Sequence, residues 1–456
     1  MEIIVSRYLK TLEQAALELA GESKRAGRYT ILLVPSQASF LMEKQIIAKY
    51  GGFCDIEVMS FEKLTHSILD RTGGRTLPRT DITGVSIRIR RILAESADEL
   101  KLFDPKRDDE LHMRLASSIA SIESEDIGPD ELRALAQQAE GQLSDKLYDL
   151  ALVMERLSGE LSDELTPAMV ERYAAQLIPQ SDFLKDARVI IHGFELLTAG
   201  RLNMITMLLT AGCDVSVLLE ADKDDDVFYH QNMLALRLEN AARIAGKSTK
   251  YRTLKNNAAD MSRDIAFLED ALYSFPMRKS PFPAENIEIV CANSEQAQAD
   301  VIVSRILEEN AAGMRLRDIG ILCPSQPPMR LCEALTGAGI SYSARQKRPL
   351  SRHRLCDFVL YAVKLVYNGR WATADVEAFL KTRMLLDTRE TDALLKYAAQ
   401  HGFKGYRYKD AWEDEEAESL RSRAVAPVMI VAGQKDAAQA CLKLREFILS
   451  SDIPDR

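Results

Sequence analysis

The strongest constraint on the fold is a set of short apolar runs that hardly alternate with polar residues. Residues 2–5, 29–35, 56–60, 187–193 and 213–219 are each about the length of a strand. A strand with one face in water alternates apolar and polar residues, because successive side chains point to opposite faces. A run without that alternation is buried on both faces, and strands joined through helices meet this condition in a parallel sheet covered on both sides. Helical patterns follow the first run, through Leu19, and join the last two runs, from Arg201 to Leu209. The expected class is α/β.

A chain of 456 residues exceeds one ordinary domain, so two to four are expected. From Pro78 the apolar spacing becomes that of long amphipathic helices, passing Arg91, Leu115, Leu135 and Leu157, with turn signals at Gly128-Pro129 and Thr166-Pro167. Sheet character returns at Ala187. The reading is a first core in two parts, 1–77 and 187–275, interrupted by a helical insertion over 78–186. Pro276, Pro281 and Pro283 mark a linker over 276–285. A second α/β unit is expected over 286–355, with strands at 286–292, 318–323 and 340–343 and a helix over 294–310. Residues 356–456 read as a second helical insertion without a closing element, which suggests a fragment.

The first strand runs into Ser6-Arg7-Tyr8-Leu9-Lys10-Thr11. A phosphate-binding loop also lies between a strand and a helix and also ends in Lys-Ser/Thr. It needs several glycines, because its backbone must curl tightly enough to aim N–H groups at phosphate oxygens. Here the first glycine is Gly21, so Lys10 and Thr11 are at most a degenerate nucleotide site. The run 187–193 ends in His192-Gly193-Phe194-Glu195, where nucleotide hydrolases usually place the acids that hold Mg²⁺; Glu195 is displaced by three residues. The acidic turn Asp222-Lys223-Asp224-Asp225-Asp226 lacks the glycine and terminal glutamate of a calcium loop and reads as solvated. The seven cysteines form no C-x-x-C pair and read as reduced thiols of a cytoplasmic protein, with no metal site. No leader or membrane-spanning run is evident.

Two strand ends carry residues suited to nucleic acid. Val34-Pro35-Ser36-Gln37-Ala38-Ser39-Phe40 offers the amide of Gln37 and the hydroxyl of Ser39; an ordinary helix cap by Ser36 or Ser39 is the other reading. Ser60-Phe61-Glu62-Lys63-Leu64-Thr65-His66 offers a ring, a cation and a second planar group in Phe61, Lys63 and His66, unless Phe61 and Leu64 are simply buried. Arg345, Lys347 and Arg348 belong to an acid-free basic segment that could follow phosphates or face solvent. A net charge of −9 argues against unspecific coating of nucleic acid but leaves room for a local basic groove.

In order and spacing these stretches resemble the AddB/RexB family, the second subunit of the bacterial AddAB (RexAB) helicase–nuclease. The resemblance lies in Leu33-Val34-Pro35-Ser36-Gln37 with Phe40-Leu41-Met42-Glu43, in Ser60-Phe61 with Leu64, in Thr72-Gly73-Gly74, in His192-Gly193-Phe194, and in Asp318-Ile319-Gly320-Ile321-Leu322. It implies a superfamily 1 helicase layout, with two RecA-like (P-loop NTPase-type) cores that each carry a helical insertion; the nuclease of the family and the cysteines of its iron–sulfur cluster are not in this sequence. It assigns Gln37, Ser39, Phe61, Lys63, His66 and Phe194 to a single-strand path on which the family scans for the recombination signal Chi. The implied partners are an AddA-like motor and nuclease subunit and single- and double-stranded DNA, with no membrane. The implied cofactors, ATP with Mg²⁺ and the iron–sulfur cluster, belong to the full complex and none to this fragment. The family's second-core arginine is also missing where Cys323-Pro324 stands. The expectation is a DNA-handling module that does not hydrolyse ATP. The competing readings are a hydrolase with an atypical phosphate site at Lys10 and Thr11, and a docking scaffold for the motor.

Overall fold

The computed structural model describes all residues except 53–54, 75–76, 109, 255–260, 345–349, 351–352, 368–370, 452 and 454–456. The chain forms two compact units, Met1–Glu288 and Ile289–Arg456. In the first, six strands pair in parallel: β1 Glu2–Ser6, β2 Thr30–Leu33, β3 Ile56–Met59, β4 Arg188–His192, β5 Asp214–Glu220 and β6 Lys250–Thr253, in the order β3-β2-β4-β5-β1-β6. The five apolar runs are five of these strands. The sixth, β6, lies at one edge with all four residues exposed, and that exposure is why it lacks the apolar signature.

Helices α1 Leu9–Arg25 and α2 Ser39–Tyr50 cover one face, where Leu12, Ala16, Met42 and Ile46 meet Ile4, Leu32, Val58, Ile190 and Leu218. The other face carries Ile3, Ile31, Leu33, Val189, Ile191, Val215 and Val217 and is covered by α3 Phe61–Thr72 and by three later helices. Adjacent strand residues thus enter opposite cores, which accounts for the missing alternation. Each such buried aliphatic side chain contributes about 1.5–3 kcal/mol relative to exposure.

The stretch between β3 and β4 is helical: α4 Ile82–Glu95, α5 Leu111–Ser124, α6 Pro129–Gln138, α7 Gly141–Glu160 and α8 Pro167–Leu177. Helices α4 to α7 enclose a core of their own around Ile89, Leu115, Ile119, Val153 and Leu157. Helix α8 departs from the expected boundary, since Val170, Ala174 and Ala175 pack on the main sheet with α3. The neck is stitched by backbone pairing, Leu165 N–H to Pro78 O at 2.9 Å and Thr80 N–H to Leu165 O at 3.1 Å. Inside the insertion, the fully buried Asp149 carboxylate accepts from the N–H groups of Lys101, Leu102 and Phe103 at 2.9, 2.8 and 2.9 Å. The first unit is completed by α9 Ala199–Thr210 and α10 Tyr229–Ile244, which lie on the α3 face, and by α11 Arg263–Ala271.

In the second unit, α12 Glu295–Ala311 and α13 Met329–Gly337 pack around Ala299, Ile306, Leu331 and Leu335. Helices α14 Arg354–Tyr367, α15 Thr373–Lys381, α16 Thr388–Gln400, α17 Glu415–Ala432 and α18 Ala437–Ser450 enclose an aromatic-rich core with Phe358, Phe379, Tyr408 and Trp412. The expected strands at 286–292, 318–323 and 340–343 are not formed: among the described residues this unit has no strand. An apolar run becomes a strand only by pairing its backbone. Among the described residues these runs pair with no other strand, and Ile289 and Leu322 stand 88% and 99% exposed. The α/β class therefore rests on one parallel core. Among the described residues no helix is long and apolar enough to cross a membrane.

Asp149→Ala leaves three inward N–H donors without an acceptor, and each such loss costs about 1–3 kcal/mol. The expected outcome is a fall in unfolding free energy of roughly 3 kcal/mol or more, read from urea denaturation.

Candidate nucleic-acid interface

Because all six strands run the same way, every strand opens its C-terminal end on one edge, where ligands of open α/β sheets bind. The strand order divides that edge. The ends of β4, β5 and β1 carry His192, the acidic turn and Arg7; the ends of β3, β2 and β4 carry residues 60–66, 35–40 and 193–198.

At the first half, only Arg7 and Tyr8 separate β1 from α1. Lys10 is exposed and Thr11 half-buried in the helix's first turn, so the loop that would cradle phosphate does not exist. Tyr8 caps the helix in extended backbone, its N–H on Ser6 Oγ at 3.2 Å. The Arg7 guanidinium meets three carboxylates: Asp222 at 3.2 Å, Asp225 at 3.1 Å and Glu269 of α11 at 3.2 Å. It also lies 5.4 Å from the Phe228 ring, and Tyr8 Oη donates to Glu269 at 3.2 Å. Burial opposes the charge of Arg7, yet Glu269, Asp222 and Asp225 outweigh it and raise its pKa. The acidic turn that reads as solvated in the sequence is thus held to the end of β1. A phosphate entering here would meet carboxylates.

His192 ends β4 on the α1 face of the sheet. It is 5% exposed, and its Nδ1 has no hydrogen-bond partner. Burial lowers its pKa, against the opposing charge of Glu13, so the ring is neutral at pH 7. Glu13 itself accepts from Gln45 Nε2 at 2.6 Å. A neutral imidazole cannot replace the carboxylate that holds Mg²⁺. Among the described residues no cluster of three His, Cys, Asp or Glu is arranged to hold a metal. The residues of this cleft do not fit a Mg-nucleotide.

At the second half, Ser60 caps α3, its Oγ accepting from Lys63 N–H at 3.3 Å. Phe61 begins the buried stripe of Phe61, Leu64, Thr65, Ile68 and Leu69. It is 1% exposed, packs edge-to-face on Phe194 at 5.1 Å, and lies 5.3 Å beneath the Arg201 guanidinium. Phe61 is a core residue and has no face to offer a base, which corrects the stacking role expected of it. Its partner Phe194 is half-buried. Lys63 and His66 are exposed on the opposite side of α3, His66 Nδ1 2.7 Å from Glu62 O.

Gln37 is exposed and Ser39 half-buried at the β2 end. Neither serine caps α2: Ser39 Oγ donates to Ser36 O at 2.8 Å, and the cap residue is Ala38. Gly193, at φ +78°, brings the β4 loop against Pro35; a Cβ there would lie 3.4 Å from Pro35 Cδ. Phe40, which closes the stretch 34–40 and is given no separate role there, is 75% exposed, with Leu41 52% exposed. The signal was available: Met42 and Ile46 are the buried positions of α2, and Phe40 is half a turn out of phase with them. Arg345, Lys347 and Arg348 lie outside the described residues.

A family model described as ADDB, N-terminal, matches residues 12–269. Among curated proteins, the chain is similar to the B-type subunit of the ATP-dependent helicase/deoxyribonuclease of Geobacillus kaustophilus, 28% identical over 90% of this chain and 37% of that protein. It is also similar to the corresponding helicase/deoxyribonuclease subunits of Heliobacterium modesticaldum (27% identity, 94% of this chain, 38% of that protein) and Bacillus subtilis (24%, 85% and 36%). The chain thus spans well under half the length of these relatives.

Phe61→Ala is expected to lower unfolding free energy by about 3–5 kcal/mol, as for a buried aromatic, while Lys63→Ala changes it by less than about 0.5 kcal/mol. Urea midpoints of the two variants check this. For His192 the sign follows from its lowered pKa. Below about pH 6.5 the unfolded chain binds a proton that the folded state resists, so stability falls as pH drops. His192→Gln should flatten the dependence of the urea midpoint on pH between 7 and 5.

Proposed function

The chain belongs to the AddB N-terminal family, and from that membership we propose that it is a DNA-handling part of an AddB-type subunit without motor activity. In this reading it works beside an AddA-like motor and nuclease subunit in the cytoplasm, within a complex that processes double-strand ends for recombinational repair. Its task is to contact, and in the family's manner scan for Chi, the single strand leaving the motor. ATP with Mg²⁺ and an iron–sulfur cluster serve the complex elsewhere.

One observation carries the reading: two halves of the same sheet edge have opposite chemistry. At β1 the half-buried cation Arg7 is neutralised by Asp222, Asp225 and Glu269, and the place of the metal-holding acid is taken by a neutral His192. At β2 and β3 the rim exposes an amide, an aromatic ring, an ammonium and an imidazole in Gln37, Phe40, Lys63 and His66. Amides and imidazoles suit base edges, an exposed ring suits stacking, and a lysine suits phosphate. Ser39 and Phe194, both half-buried, belong to the same proposed path, and the basic segment with Arg345, Lys347 and Arg348 is a separate proposed phosphate contact.

The test is anisotropy with a fluorescent single-stranded oligonucleotide at several salt concentrations. Phe40→Ala is expected to cost about 1–3 kcal/mol of binding, and Lys63→Ala to reduce the salt slope by about 0.7. Unchanged binding in both variants would move the path elsewhere. Absence of binding at low salt, together with tight association with the motor subunit, would favour the scaffold. Micromolar, Mg²⁺-dependent binding of a fluorescent ATP analogue would instead favour a hydrolase built on Lys10 and Thr11.

A further inference from the structure

Helix α11 touches the closed nucleotide cleft at one point and the linker at several others. Glu269, in its second half, holds Arg7 Nε and Tyr8 Oη, both at 3.2 Å. Asp264, in its first turn, is 6% exposed and accepts from the N–H groups of Glu285 and Asn286 at 2.9 and 2.7 Å and from Asn286 Nδ2 at 3.1 Å. Ser262 Oγ and Ile265 N–H complete its shell at 2.6 and 3.1 Å. Elsewhere along α11 the linker is fastened twice more. The Phe282 ring lies 4.0 Å from the Arg263 guanidinium and 5.7 Å, edge-to-face, from Phe267. Arg278 Nη2 donates to the backbone and carboxylate oxygens of Asp270, each at 2.6 Å.

A proline-rich segment between two units is expected to be a semi-rigid but detached spacer. Here residues 278–286 are folded back along α11, and α11 is itself tied to the β1 end by a charged cluster. We infer that Arg7, through Glu269 and α11, is an intramolecular clamp that fixes the course of the linker on the first unit. The clamp rests on the reading that the cleft holds no nucleotide: the carboxylates that exclude phosphate also anchor the helix that carries the linker. A site whose contents change would let go of α11 when they leave; a site closed by its own side chains holds it continuously. Ion pairs this exposed are each weak, but Arg7 joins three carboxylates from two elements, so removing it releases α11 and the turn 222–226 together.

The experiment is hydrogen–deuterium exchange on the whole 456-residue chain, comparing wild type, Arg7→Gln and Glu269→Gln. Both variants should raise exchange roughly tenfold in peptides covering 262–286. Peptides of β4 and β5 should exchange as in wild type. Asp264→Asn should produce the same local effect from the other end of α11. Unchanged exchange over 276–286 in both charge variants would overturn the clamp. So would uniform acceleration throughout the sheet in both, which would make the cluster a general element of stability. A parallel arm adds ATP with Mg²⁺ to wild type. Altered exchange at 6–11 or 276–286 in that arm would overturn the reading of an empty cleft, whatever the variants show.

Discussion

Parallel pairing of six strands, with both faces of the sheet covered, is the constraint on which the first unit depends. Burial on both faces makes five of the six strands nearly continuously apolar, because successive residues enter different cores. Parallel direction places all the strand-to-helix turns on one edge. The candidate site residues of this unit are gathered there, brought from sequence positions as distant as Arg7 and Asp222. The helical insertion does not disturb this order, since backbone pairing between Pro78, Thr80 and Leu165 closes its neck.

Strand order then sorts the chemistry. Strand β5 separates β1 from β4, so the acidic turn after β5 emerges between Arg7 and His192. A guanidinium among three carboxylates has little positive potential left for a phosphate. Further along the sheet, the turn after β2 and the helices α2 and α3 that follow β2 and β3 expose Gln37, Phe40, Lys63 and His66 instead. A single scaffold thus supports a closed half and an open half.

The legible part of the fold was the part governed by near neighbours. Five of the six strands, the helical character of 78–186 and the buried stripe of α3 all follow from spacings of two to four residues. The stripe 61, 64, 65, 68, 69 was itself enough to place Phe61 in the core, and the phase of Met42 and Ile46 enough to turn Phe40 outward. The family resemblance gives Phe61 a ring's role by its place after a strand, whereas helical phase buries it, the alternative its own residues left open. The apolar runs after residue 286 mislead in the opposite way. Their composition suits strands, but a strand is a pairing, and composition does not supply the neighbour.

Taken alone, the sequence determined the α/β class of the first unit, the interruption of its core, and the absence of a glycine-rich phosphate loop, because each is written in local periodicity or in the conformational limits of single residues. The tertiary structure alone decided that Arg7 meets Asp222, Asp225 and Glu269 and that the linker lies along α11. Those outcomes depend on strand order and on the rotation of helices about their axes. Both are settled by packing between segments far apart in the chain, where no short window of residues carries the information.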